Sequence, residues 1–280
     1  MGRICKFLFS KILRAGLFRF SSLALLCWSA PLWAQPSGPE THLLYRVDHA
    51  VRFLAADPLG QVYVVTPQNE LLQYNAQGVL AYKYQNFRHG ELAWVDAGNP
   101  LNILLFYPQF GQVVILDRTL SEIALLNFPE KGLWDVSAIG RSSDNQIWLY
   151  DPVQTLIRKI TVNGEYLAEG QPLSMLLPVT PRPVWILEQK QEVYLYDPIQ
   201  GVMVFDAFGQ YLKTIPADGM EGLRIWEGYW TFWKEGQLFF YQPLAHRAFP
   251  IELPEPATTG IFQAGRLILQ TEKGFAVYGY

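Results

Sequence analysis

The sequence predicts an all-β protein, a six-bladed β-propeller of four-stranded antiparallel blades. Three observations lead to this prediction. Short aromatic and β-branched segments recur along the chain with turn residues between them. One such segment repeats at a nearly constant period of about 41 residues, the period of propeller blades. The first and last repeats are complementary, because a spare strand at one end matches a missing strand at the other.

The clearest repeat is IWLYDPVQTLIRKITVNGEYL at 147–167, and a near copy, VYLYDPIQGVMVFDAFGQYL, follows at 193–212. The second strand of each unit marks the period. It recurs as VYVV (62–65), ILLFY (103–107), IWLY (147–150), VYLY (193–196), YWTFW (229–233) and RLILQ (266–270). Equivalent positions from Tyr63 to Leu267 are 36 to 46 residues apart, which predicts six units.

Each marker has a predicted strand on either side. The strands before the markers are 51–57, 91–96, 135–140, 183–188, 222–227 and 259–263. A third strand follows every marker, and a fourth follows in five of the six units. Turn sequences such as DPLG, NAQG and AFG separate the strands, and no segment after residue 34 sustains a helical period.

The two ends of the repeat array predict how the ring closes. The last unit has only three strands before Tyr280, whereas a lone strand, THLLYRV (41–47), precedes the first unit. We expect this strand to lie antiparallel to GFAVYGY (274–280) and to complete the sixth blade, which would cover both sheet edges. An open solenoid or a sandwich is the alternative, and neither explains the matched ends.

Residues 1–34 differ from the rest and are predicted to be a secretory signal peptide. Five basic residues and no acid occupy positions 1–19, and an apolar run follows and ends at Ala34. A retained N-terminal anchor is one alternative, and a lipid attached at Cys27 is another. The prediction is a single propeller domain at 35–280, exported to the periplasm or the extracellular space.

Composition limits the partners of residues 35–280. Both cysteines, Cys5 and Cys27, lie in the signal peptide, so no disulfide is expected. The remaining 17 basic and 25 acidic residues give a net charge of −8, which disfavours nucleic acid as a ligand. After signal removal we expect no membrane span, no cofactor and a monomer.

The repeats resemble NHL-type propeller repeats and the related six-bladed lactonase-like propellers. DPLGQVYV (57–64) and DNQIWLYDPVQTLIRKITVNGE (144–165) carry the resemblance, which covers residues 41–280. The second, fifth and sixth units depart from the pattern. Such propellers serve binding, scaffolding and catalysis alike, and the lactonase-like ones hold a divalent cation with acidic and amide side chains facing the channel.

Candidate binding residues lie near the starts of the inner strands, where the links between blades and the turns between second and third strands share one face, the top face. They are Arg52, Arg88, His89, Glu91, Trp134, Asp135, Arg182, Arg224 and Trp226. Such a mixed ring suits a small polar or sugar-like ligand, and the alternative is a water-filled channel mouth with paired charges. Asp151 and Asp197 each precede proline, which predicts that they cap their own turns.

No catalytic residue and no metal ligand is assigned, because the four histidines are scattered and no catalytic motif occurs. The leading hypothesis is an exported, non-catalytic propeller that binds a partner protein or an envelope glycan through its top face. The alternative is a calcium-dependent lactonase or hydrolase with its site at the channel mouth.

Overall fold

Six four-stranded antiparallel sheets form the ring of a β-propeller, which confirms the predicted fold class. The protein is described by a computed structural model that covers residues 41–280, except 218–219, 227–228, 244, 246 and the side chain of Trp226. The predicted signal peptide lies outside the described residues. Inner strands contact one another between blades 3 and 4, between blades 5 and 6 and between blades 6 and 1, and the last of these contacts closes the ring.

The blades follow one another along the chain. Blade 1 contains β2 (Phe53–Ala56), β3 (Val62–Val65), β4 (Leu71–Tyr74) and β5 (Leu80–Tyr84). Blade 2 contains β6 (Trp94–Asp96), β7 (Ile103–Tyr107), β8 (Gln112–Leu116) and β9 (Glu122–Asn127). Blade 3 contains β10 (Ala138–Arg141), β11 (Ile147–Asp151), β12 (Leu156–Ile160) and β13 (Tyr166–Glu169).

The second half of the chain repeats this order. Blade 4 contains β14 (Trp185–Gln189), β15 (Glu192–Asp197), β16 (Gly201–Asp206) and β17 (Tyr211–Ile215). Blade 5 contains β18 (Glu221–Trp226), β19 (Tyr229–Lys234), β20 (Gln237–Gln242) and β21 (Arg247–Ile251). Blade 6 contains β22 (Thr259–Gln263), β23 (Arg266–Thr271), β24 (Gly274–Gly279) and β1 (His42–Val47).

The apolar core is divided among the interfaces between blades. Six clusters of buried side chains occur in the described residues, and each joins one pair of neighbouring blades. Trp148 of blade 3, for example, packs with Ile186 and Leu195 of blade 4. The repeated aromatic strands of the sequence therefore supply the contacts that hold one sheet against the next.

Asparagine and aspartate residues fix the turns on the face opposite the top face, here the bottom face. At Asp57 the side-chain Oδ1 accepts the backbone N–H groups of Leu59 and Gln61, both at 2.9 Å. The same two bonds, to the second and fourth residues onward, recur at Asn75, Asp117 and Asp206. Gly60 adopts φ 78° within the first of these turns, a conformation that glycine adopts without strain.

The ring closes as the sequence predicts. Strand β1 pairs antiparallel with β24, from His42 opposite Gly279 to Val47 opposite Phe275, with one register shift near Leu43. Tyr45 meets Phe275 edge-on at 6.2 Å and packs into the core between blades 6 and 1. The N-terminal strand thereby ties the last blade to the first.

Two smaller features adjust the sequence prediction. The inner strands of blades 1 to 3 begin at Phe53, Trp94 and Ala138, a few residues later than predicted. Four 3-10 helices occur among the described residues, at Phe87–His89, Pro108–Phe110, Pro129–Lys131 and Leu173–Met175, all on the top face.

None of the helices in the described part of the chain has the length and apolar character needed to cross a membrane.

Candidate functional site

The structure distributes the predicted ring of candidate residues over three settings: the top-face links, the space between two blades, and the channel itself. Arg52 and Glu91 belong to the first setting and form an ion pair with Nη1 and Oε1 2.5 Å apart. Arg52 also donates to the Asn69 side chain and to the Leu92 carbonyl. These contacts hold the link between blades 1 and 2 against the turn of blade 1. The charges of Arg52 and Glu91 therefore have a structural role.

His89 lies in the second setting, buried between blades 1 and 2. Its Nδ1 is 2.8 Å from Gln112 Oε1 and its Nε2 is 3.0 Å from the Asn86 amide nitrogen. Glu122, on the outermost strand of blade 2, lies 3.9 Å from the ring. Hydrogen bonds from Asn86 and Tyr84 lower the pKa of Glu122. This polar cluster faces the outer side of the blades, whereas the neighbouring Arg88 is exposed.

Three further candidates are exposed on the links. Trp134 leaves 57% of its surface exposed, and Asp135 follows it with φ 56°. Arg182 is also exposed, and its backbone N–H donates to Asp197 Oδ2 at 2.6 Å. Trp226, the last candidate, has a side chain outside the described part of the protein.

Arg224 is the candidate that reaches the channel. Its guanidinium carbon lies 4.9 Å from the centre of the Trp94 ring. Trp94 belongs to blade 2 and Arg224 to blade 5, on opposite sides of the ring, so this cation–π pair spans the channel. Burial lowers the pKa of Arg224 because it desolvates the charge. Among the described residues, no carboxylate lies within ion-pair distance of it.

Two cavities meet at this pair. The lower cavity, of about 470 Å³, extends from Arg224 to the bottom face. Its walls are mainly apolar and include Phe53, Ala55, Leu187, Ile225 and Ile261. The upper cavity, of about 460 Å³, opens to the top face between blades 4 and 5. Trp94, Trp185 and Arg224 line both.

The acids of the lower cavity already have partners. Asp96 Oδ1 lies 3.3 Å from Arg141 Nε and also accepts the Gly98 N–H. Glu188 accepts the indole N–H of Trp148 at 2.6 Å and the hydroxyl of Ser143. Both acids lie toward the bottom end. Arg141 offsets the charge of Asp96, whereas Glu188 has no ion pair with the described residues, so the channel carries a positive charge at its centre and the negative charge of Glu188 at that end.

The repeated aspartates cap their turns, as the sequence predicts. Asp151 Oδ1 accepts the N–H groups of Val153 and Gln154, both at 3.0 Å. Asp197 Oδ1 accepts those of Ile199 and Gln200 at 2.7 and 3.1 Å. Arg158 lies 3.3 Å from Asp151 and is bonded to Glu169 on the adjacent strand. These carboxylates are structural parts of the top-face turns.

Sequence reasoning identified Trp134 on the top face but missed the other exposed apolar side chains around it. We call the whole set the top-face apolar tips; they are Phe87, Phe110, Trp134, Val153, Met175 and Ile199. They lie on consecutive links and turns of blades 1 to 4. Met175 and Ile199 each expose 82% of their surface. The signal was present in the sequence, since apolar residues sit at loop centres, but strand periodicity does not identify them.

The loops that carry these tips are held firmly. A Cβ at Gly90 would lie 3.0 Å from the Phe110 ring, and one at Gly111 would lie 3.0 Å from Pro129. The link after blade 3 donates the Leu173 N–H to the Thr155 carbonyl at 2.6 Å. A rigid scaffold thus presents the apolar tips, as binding loops require.

No group of three or more His, Cys, Asp or Glu side chains that could hold a metal ion occurs among residues 41–280 as far as they are described. The described residues offer instead an apolar surface on the top-face loops and a channel with the guanidinium of Arg224 at its centre.

Comparisons with known proteins show that the fold is that of a β-propeller and assign no family to the chain. No protein-family model matches the chain, and no curated protein matches it. A solved streptogramin B lyase is 12% identical, with 86% of each chain covered and a TM-score of 0.55. A catalytically inactive virginiamycin B lyase from Staphylococcus aureus, solved with quinupristin, is 13% identical over 86% of this chain and 87% of its own, with a TM-score of 0.54.

The Pan2 WD40 domain of Neurospora crassa is 13% identical, with 82% of this chain and 89% of that domain covered and a TM-score of 0.50. At these identities the likeness shows the fold alone. An enzyme and a WD40 domain share it, so function must be argued from the site.

Proposed function

We propose that this protein is an exported, non-catalytic propeller that binds a partner protein through the top face of blades 1 to 4. The top-face apolar tips are the observation that carries the proposal. Large apolar side chains exposed on rigid loops are typical of protein interaction sites, and aromatic residues and methionine are enriched at such interfaces. Of the two partner classes that the sequence left open, these side chains favour a protein over a glycan.

Export rests on the pattern of residues 1–34. We expect the mature chain to begin near Gln35 and to be recovered from the periplasm or the medium. N-terminal sequencing of protein from fractionated cells of the native host tests this directly. An intact Met1 in a membrane fraction would indicate a retained anchor instead.

Site-specific photo-crosslinking tests the binding surface. A photoreactive phenylalanine analogue is placed at Met175 or Ile199, and matched controls carry it at Leu59 or Phe208, which are exposed apolar residues on the bottom face. We expect an adduct of one discrete mass from the top-face positions in cells, with mass spectrometry identifying the same protein each time.

Substitution then tests whether the apolar character is needed. The pair Met175→Asp and Ile199→Asp should abolish the adduct formed by a probe at Trp134, because charges disfavour a desolvated interface. The pair Leu59→Asp and Phe208→Asp should leave it unchanged. Equal adducts from both faces, or an adduct that survives the top-face pair, would contradict the proposal.

A further inference from the structure

The centre of the channel contains two hydrogen-bond donors without an acceptor. Arg224 makes no hydrogen bond or ion pair with the described residues, and its guanidinium lies over the ring of Trp94. The indole Nε1 of Trp94 is itself buried and has no hydrogen-bond partner. Buried donors are nearly always paired in folded proteins, so a buried indole N–H without an acceptor, beside a half-buried guanidinium that also has none, needs an explanation.

An irregularity of the backbone just before Arg224 affects the direction of its side chain. The pairing of β18 with β19 shifts register between Glu221 and Arg224, and Gly222 adopts φ 57° within the shift. A bulge of this kind re-aims the side chains that follow it, and bulges are frequent beside binding sites. Leu223 remains in the core between blades 4 and 5, while Arg224 faces the channel.

The surroundings of Arg224 indicate the chemistry of a ligand. The guanidinium lies over the Trp94 ring, and its N–H groups have no acceptor among the described residues, so they are available for the paired hydrogen bonds that a carboxylate accepts. Below it, the apolar walls of the lower cavity offer about 470 Å³, within the usual size of small-molecule pockets. Glu188 at the bottom end would repel a second anionic group.

We propose that the central channel binds a small organic monocarboxylate, with its carboxylate on Arg224 and its apolar body in the lower cavity. Trp94 orients the guanidinium that lies over its ring. This site is separate from the top-face apolar tips and does not depend on the proposed partner protein.

The site is tested by titration calorimetry and thermal melts with two carboxylates, phenylbutyrate and octanoate. The corresponding primary amides, phenylbutyramide and octanamide, carry no charge and are the matched controls. We expect each carboxylate to bind and to raise the melting temperature, because a ligand that binds only the folded state stabilises it by mass action. The phenyl and alkyl probes distinguish an aromatic body from an aliphatic one. Absence of binding by both carboxylates at millimolar concentration would overturn the proposal.

Variants assign the binding to Arg224. Arg224→Met keeps the length of the side chain and should weaken carboxylate binding by about tenfold or more, the effect expected on losing a charge-assisted hydrogen bond. The exposed Arg118→Met is the matched control and should bind as the wild type does. Equal affinity of amide and carboxylate, or of Arg224→Met and wild type, would show that Arg224 holds no anion.

A second variant keeps the test decisive if Arg224→Met does not fold. Arg224→Lys retains the charge but loses the planar fork, so it should bind the carboxylates more weakly than wild type and still prefer them over the amides. A Lys variant without that preference would count against the site.

Discussion

At the scale of single residues, two buried tyrosines differ in the hydrogen bonding of their hydroxyl groups. Each lies in the second strand of its blade. The hydroxyl of Tyr63 is 3.1 Å from Asp57 Oδ2 and 3.1 Å from the Gln73 amide nitrogen. The hydroxyl of Tyr150 is buried without any hydrogen-bond partner. The repeat therefore preserves ring packing while the polar contacts of each ring differ from blade to blade.

We expect Tyr63→Phe to lower the free energy of unfolding by about 1–2 kcal/mol, because it removes the buried hydrogen bonds that the hydroxyl makes with the Asp57 carboxylate and the Gln73 amide. The matched Tyr150→Phe should be neutral or stabilising at pH 7, because the hydroxyl that it removes is unsatisfied. Urea melts of both variants measure the difference. A larger loss for Tyr150→Phe than for Tyr63→Phe would contradict the contacts described here.

Tyr150 also predicts a response to alkali. Burial, followed by the charges of Asp151 and Asp197, raises the pKa of Tyr150 to about 12 from 10.0. The folded state thus keeps a proton that the unfolded state loses above pH 10, so stability present below pH 10 falls as pH rises toward 12. Melts between pH 9 and about pH 12 should show a shallower fall for Tyr150→Phe than for wild type, and equal slopes would refute the assignment.

Trp148 and Tyr194 are equivalent in the sequence repeat but differ in burial. Both occupy the same place in the second strand of their blades, which predicts similar costs on truncation. The structure separates them, since Trp148 is fully buried and bonded to Glu188, whereas Tyr194 is half-buried. We expect Trp148→Ala to cost roughly 3–5 kcal/mol of unfolding free energy and Tyr194→Ala less. Denaturant melts that rank them in the reverse order would contradict this.

At the scale of elements, strand periodicity predicted most of what is observed, and it failed where the backbone is irregular. Short apolar and aromatic runs located every second strand to within two residues, because strands buried on both faces need apolar side chains on both. Periodicity could not identify Arg224 as the channel-facing member of the candidates whose side chains are described, since the bulge before it breaks the two-residue period. His89, Arg52 and Glu91 look alike in sequence, and only tertiary packing separates their settings.

The inner strands of blades 3 and 4 approach each other closely. A Cβ at Gly140 of β10 would lie 2.1 Å from the Ile186 carbonyl oxygen of β14. Blades 3 and 4 are therefore in backbone contact at the channel, and no residue of β10 lines the lower cavity. A glycine at this position is what permits the contact.

Gly140→Ala should accordingly force the two blades apart and lower the unfolding free energy by about 1–3 kcal/mol, the cost of overpacking. Gly98→Ala is the matched control, since the nearest atom to its Cβ would be the end of the Asp96 side chain at 3.1 Å. Thermal melts compare the two. A Gly140→Ala protein as stable as the control would mean that blades 3 and 4 are not in backbone contact.

At the scale of the whole molecule, the matched ends of the repeat array were sufficient to predict ring closure. What the sequence could not supply is how tightly the closing strand fits. A Cβ at Gly274 would lie 2.0 Å from the Val47 carbonyl oxygen, and Arg46 pairs with Glu255 at 2.8 Å. These contacts join residues that are more than 200 positions apart in the chain, and no local pattern encodes them.

Deletion of residues 35–47 tests closure most directly. The truncation removes β1, exposes the apolar edge of β24 and eliminates a ladder of backbone hydrogen bonds, each worth about 1 kcal/mol. We expect the product to be insoluble or to melt at least about 10 °C lower, the shift that several kcal/mol produce in a domain of this size. The exposed edge would also promote aggregation. Deletion of 35–40 alone is the matched control and should leave the melting temperature unchanged, because it spares every residue of β1. If the longer deletion remained monomeric with the melting temperature of the control, β1 would not be what holds the sixth blade to the first.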